Sequence, residues 1–157
     1  MLFEELNVLF DFVERPVPLG ADMRPAWRIV VLMLVLKKCW GNRASLRQLH
    51  VLNWAIRNPE SREAFLQVMN GELPPDRATV RFEPSLQRAL SLAAAEKLCE
   101  RIGDRIQLTA KGEQLVQKLM ADSSILVDEK EFMEKIRGKV TQLRVDAMLS
   151  WEGEIEA

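Results

Sequence analysis

A chain of 157 residues, 48% hydrophobic and 29% charged, is long enough to bury one ordinary core and is neither disordered nor fibrous in composition. Its net charge of −1 is unevenly spread: residues 24–120 carry +7, whereas residues 1–23 and 121–157 carry −4 each. Two cysteines, Cys39 and Cys99, and one histidine, His50, stand far apart, so no zinc-binding cluster is written into the chain and the thiols are expected reduced and buried.

Residues 1–14 are rich in large apolar side chains. Phe3, Leu6, Phe10 and Val13 fall at helical spacing, although residues 7–14 also alternate as a strand would. They are expected either to pack on their own domain or to dock as an amphipathic arm on another chain. Residues 15–20 hold two prolines and a glycine, which no helix continues through, so 1–23 is read as an arm and linker. The unbroken apolar run at residues 29–36 stops at Lys37-Lys38, far short of the roughly 20 residues a membrane span needs, and predicts a buried helix. No membrane partner is expected. The N-terminus has no basic start of the kind a secretory signal carries, so a cytoplasmic location is expected.

Gly41-Asn42 ends the buried helix, and Ser45 is placed to cap the next, over residues 46–57. Asn58-Pro59 breaks that helix, and a short one follows over residues 60–70. Thr79, Val80, Arg81 and Phe82 alternate as a short strand. From Leu86 the stripe Leu86, Ala89, Leu90, Ala93, Ala94 and Leu98 predicts an amphipathic helix, with Pro84 in its first turn. The period then changes: residues 99–102 and 105–108 flank Gly103-Asp104, a two-residue turn suited to a β-hairpin, which residues 79–82 are placed to join as a third strand. Thr109 caps a further helix bearing Leu115, Val116 and Leu119. Helices over residues 125–137 and 140–151 close the chain; Trp151 in the last is either a core lid or an interface anchor, and Met148 is a candidate partner contact beside it.

Helix, two-stranded wing and capped helix in this order, with the step Leu108-Thr109-Ala110-Lys111-Gly112, resemble the winged-helix domain. The expected fold is therefore mainly α with a small β-wing: a winged-helix domain over residues 24–121, an N-terminal arm at 1–23 and a C-terminal helical extension at 122–157. In such a domain Gln87 and Arg88 sit on the helix that reads a DNA groove, and Arg101 and Arg105 flank the wing turn. Arg43, Arg47 and Lys111 complete a set of candidate nucleic-acid contacts. Four alanines on that helix, and Glu83, Glu96, Glu100 and Asp104 beside the cations, weigh against sequence reading and leave a protein-binding role or non-specific contact with double-stranded DNA as the expectation.

No phosphate-binding loop, metal cluster or nucleophile–base set is evident, so neither cofactor nor metal nor enzymatic activity is expected. Arg15 to Gly20, Arg24 to Arg28, the run Ser45 to Ala55 and the winged segment together are similar to the small middle subunits of bacterial ABC-three-component systems, of which Lamassu defence operons are an example. That resemblance implies a non-catalytic adaptor bridging an SMC-like ABC ATPase and an effector, often a nuclease, in antiphage or anti-plasmid defence. A stand-alone winged-helix transcription regulator is the alternative.

Overall fold

In the computed structural model of the protein, the described residues are 25–136, 138 and 140–156. The architecture is mainly helical with one three-stranded antiparallel sheet, and it is built around its most apolar helix. That helix, α1 (Pro25–Lys38), starts on a proline, whose missing amide costs nothing in a first turn. Every residue from 29 to 36 on it is buried, because four later helices and the sheet pack around it. A short 3-10 turn, Trp40–Asn42, with Gly41 at φ +68°, redirects the chain into β1 (Arg43–Ser45).

Helix α2 (Leu46–Ile56) begins on a capping box: the Ser45 hydroxyl accepts from the Gln48 amide, and the Gln48 side chain accepts from the Ser45 amide. Asn58 caps α3 (Pro59–Met69) through the Ser61 amide. A 3-10 turn at Pro75–Arg77 and an extended segment lead to α4 (Pro84–Ala95). The hairpin β2 (Cys99–Ile102) and β3 (Arg105–Leu108) then turns on Gly103-Asp104. Thr109 caps α5 (Ala110–Ala121) through the Gly112 amide, and α6 (Val127–Lys135) and α7 (Gln142–Glu156) follow.

The sheet order is β1-β3-β2, and here one expectation is corrected. The third strand is Arg43–Ser45, paired with Gln107, Ile106 and Arg105; residues 79–82 pair with no strand. The alternation holds only in part: Ala78 and Val80 are buried and Thr79 and Arg81 exposed, but Phe82, which the period would turn inward, is 48% exposed with its ring stacked on His50.

Residues 122–156 do not hang from the core. Phe132 meets Phe65 edge-on with ring centroids 5.8 Å apart, Val140 bridges Cys39, and Val145, Met148 and Leu149 are buried. Gln48 donates from Nε2 to the Val140 carbonyl at 3.4 Å, and Ser45 and Gln142 are hydrogen-bonded. Met148 is thus a core residue at 1% exposure, which removes it as a partner anchor in this arrangement.

One glycine fixes how α5 sits under the hairpin. A Cβ on Gly112 would lie 2.1 Å from the Leu98 carbonyl oxygen and 2.8 Å from Leu108 Cδ2. A backbone oxygen cannot swing aside as a side chain does, so Gly112→Ala is expected to destabilise by at least the ~1–3 kcal/mol typical of overpacking. A urea titration checks this; a wild-type midpoint would contradict the packing.

Candidate interaction surface

Four of α4's residues, Leu86, Ala89, Leu90 and Ala93, face the core, which turns Gln87, Arg88, Ser91, Ala94 and Ala95 toward solvent. Gln87 and Arg88 are therefore exposed on the helix, as the sequence placed them. The Ser91 hydroxyl is already used: it donates to the Gln87 carbonyl at 3.0 Å, a bond within its own helix.

The sheet register divides the other cations. Side chains alternate faces along a strand, and Ala44, Ile106 and Arg101 stand in one cross-strand row. The neighbouring rows, Arg43–Gln107–Glu100 and Ser45–Arg105–Ile102, belong to the opposite face. Arg101 and Arg105 thus flank one turn but point to different sides of the sheet. Arg43 shares Arg105's face, and its guanidinium lies 5.4 Å from the centroid of the exposed Trp40 ring. Arg101 donates from Nε to the Gly103 carbonyl of its own turn at 3.2 Å.

Two further candidates are engaged inside the chain. Arg47 pairs with Asp146 on α7 at 3.8 Å, both about half exposed, so this pair adds little stability. Lys111 Nζ donates to the Glu96 carbonyl at 2.9 Å and caps the C-terminal end of α4, where a cation also meets the negative end of the helix dipole. Phe3, Leu6, Phe10 and Val13, and the side chain of Trp151, lie outside the described residues.

What the fold does bring together is a groove between α4 and the hairpin. Gln87, Leu90, Ser91 and Ala94 line its helix side, Cys99, Glu100 and Arg101 its strand side, and Leu46 and Ile106 its floor. Its volume of about 210 Å³ is below the roughly 300 Å³ at which small-molecule sites begin. Glu100 and Asp104 give its rim two carboxylates. Burial, and secondarily the Glu100 charge, pushes the Cys99 thiol up to about 11, so the thiol stays protonated and unreactive at neutral pH.

Behind α4 lies a polar cluster the sequence did not reveal. Arg28, only 4% exposed, donates from Nη1 to Asn53 Oδ1 at 2.7 Å and to Glu83 Oε2 at 3.2 Å. Arg57 engages the other oxygen of Glu83, the N-cap residue of α4. His50 stacks on Phe82 with centroids 4.1 Å apart and planes 10° from parallel, and burial lowers its pKa, favouring the neutral ring. The cluster ties the entrance of α4 to α1 and α2. The one sequence signal for it is a charge, Arg28, beside an otherwise unbroken apolar run.

Among the described residues no group of three or more His, Cys, Asp or Glu is placed to hold a metal ion, and no helix is long and apolar enough to cross a membrane. No known protein family, characterised protein or solved structure matches the chain.

Proposed function

We propose that the protein is a winged-helix module acting as a non-catalytic adaptor that holds partner proteins together. The order α1, β1, α2, α3, α4, β2, β3 and the β1-β3-β2 sheet support the winged-helix reading. The outward face of α4 carries the functional reading. A groove-reading helix needs side chains that reach base edges, typically bidentate Arg, Lys, Asn or Gln. Here Gln87 and Arg88 are followed by Ser91, Ala94 and Ala95, short residues that let another protein approach closely. Glu96, Glu100 and Asp104 alongside repel phosphate, and the register spreads the nearby arginines over two faces.

With the resemblance to ABC-three-component middle subunits, this supports an adaptor between an SMC-like ATPase and an effector nuclease, touching double-stranded DNA non-specifically if at all. The exposure of Gln87 and Arg88 beside an exposed Arg101 favours the second reading, a stand-alone regulator. A salt-dependent titration against a randomised duplex pool separates the two. The adaptor selects no sequence, and Arg88→Ala changes nothing but a shallow salt slope. A selected site whose discrimination Arg88→Ala relaxes, by the ~1–3 kcal/mol of one bidentate base contact, would establish the regulator instead.

A further inference from the structure

Strand β2 is an edge of the sheet, and the register states which of its backbone groups face outward. Ile102 and Arg105 flank a two-residue turn and therefore exchange both hydrogen bonds; Glu100–Gln107 is the next such pair, and the Thr109 amide donating to the Leu98 carbonyl at 3.1 Å continues the series. Between them, Arg101, which is exposed, turns its amide and carbonyl to the open edge, while Cys99 on the same side is covered at 3% exposure. Three consecutive β2 residues, Cys99, Glu100 and Arg101, line the α4 groove although their side chains alternate faces, so the groove runs along the backbone edge itself. On its far side α4 offers Ser91 and Ala94, small enough to admit another main chain.

We propose that this groove binds an extended segment of a partner protein, which adds to the sheet as a fourth strand beside β2. The proposal rests on the adaptor reading and names its docking site. Strand addition uses main-chain hydrogen bonds for affinity and alternate side-chain pockets for selectivity. The floor of Leu46, Leu90 and Ile106 takes an apolar side chain of the segment. Two carboxylates, Glu100 and Asp104, line the groove with one guanidinium, Arg101, whose Nε donates to the Gly103 carbonyl, so the balance of charge is acidic by one. The segment therefore carries a lysine or arginine next to its apolar anchor. Nucleic acid is the wrong occupant, since its phosphates would meet the same two carboxylates.

The test uses the full chain purified with its bound partner from the native host. Amide hydrogen exchange is compared between that complex and the isolated chain, and two variants are expressed in the same host. Arg101→Pro removes an outward amide at a position where an edge strand accepts proline, and Ala94→Trp fills the groove. The expected result is slowed exchange at the Arg101 amide in the complex, with the partner lost from both variants at unchanged melting temperature. An unprotected Arg101 amide, or a partner retained by both variants, overturns the groove and leaves the adaptor reading standing. Protection produced by duplex DNA, or by a second copy forming a dimer that Arg101→Pro abolishes, also overturns it. A wild-type chain that emerges without any partner overturns the adaptor reading and this one with it. The exchange measurement is made on the wild type, so it decides the matter even where a variant misfolds.

Discussion

Deleting residues 140–157 is expected to unfold the protein. The lost segment carries Val140, Val145, Met148 and Leu149, each 2% exposed or less. At ~1.5–3 kcal/mol per buried side chain, four such losses sum to roughly 6–12 kcal/mol, comparable with the ~5–15 kcal/mol that holds an entire domain together. The deletion also strips the Gln48 side chain of its acceptor at the Val140 carbonyl, and opens the apolar surface of α2 to water. Circular dichroism and a denaturant titration of the truncated chain check this. Cooperative unfolding at the wild-type midpoint would show that residues 140–157 are dispensable to the core.

The second large effect is expected at Glu83. Its carboxylate is the acceptor for both Arg28 and Arg57, and Arg28 is nearly withdrawn from water. Glu83→Ala removes the carboxylate shared by Arg28 and Arg57, and breaking a buried ion pair from one side typically costs ~3–5 kcal/mol. Because Glu83 is also the residue at which α4 begins, the loss should loosen that helix before the rest. Thermal melts measure the total, and amide exchange along α4 measures the local part. The double variant Glu83→Ala with Arg28→Met should recover much of the stability, since it removes the buried cation as well. Equal instability of the single and double variants would show that the ion pair is not the reason.

The parts of the fold that are legible in the sequence are those settled by neighbours along the chain. Ser45 and Thr109 cap helices through amides three residues on, and Gly103-Asp104 sets the hairpin register through its own turn geometry. Strand β1 is not legible in the same way. Its three residues pair with Gln107, Ile106 and Arg105, sixty or more positions away, and Arg43-Ala44-Ser45 has no strand signature of its own. Residues 79–82 have the right period for a strand but pair with none, burying Val80 and leaving Phe82 half exposed, and period alone does not supply a partner strand.

The candidate site divides along the same line. Exposure of Gln87 and Arg88 follows from the α4 stripe, which any helical wheel displays. That Arg101 and Arg105 occupy opposite sheet faces also follows from the sequence, once residues 102 and 105 are paired across the turn. The engagement of Arg47 by Asp146 and of Lys111 by the Glu96 carbonyl depends on tertiary packing, and so does the Arg28–Asn53–Glu83 cluster. A list of surface cations read from sequence therefore overstates how many are on offer to a phosphate backbone.

The adaptor account is tested most directly by affinity purification of the tagged full-length chain from its native host, with mass spectrometry of the eluate and a light-scattering mass of the particle. The account predicts a particle much heavier than the 157-residue chain, holding a large ATPase in fixed stoichiometry with it. A lone monomer or dimer that carries no other protein and binds one DNA sequence would contradict it.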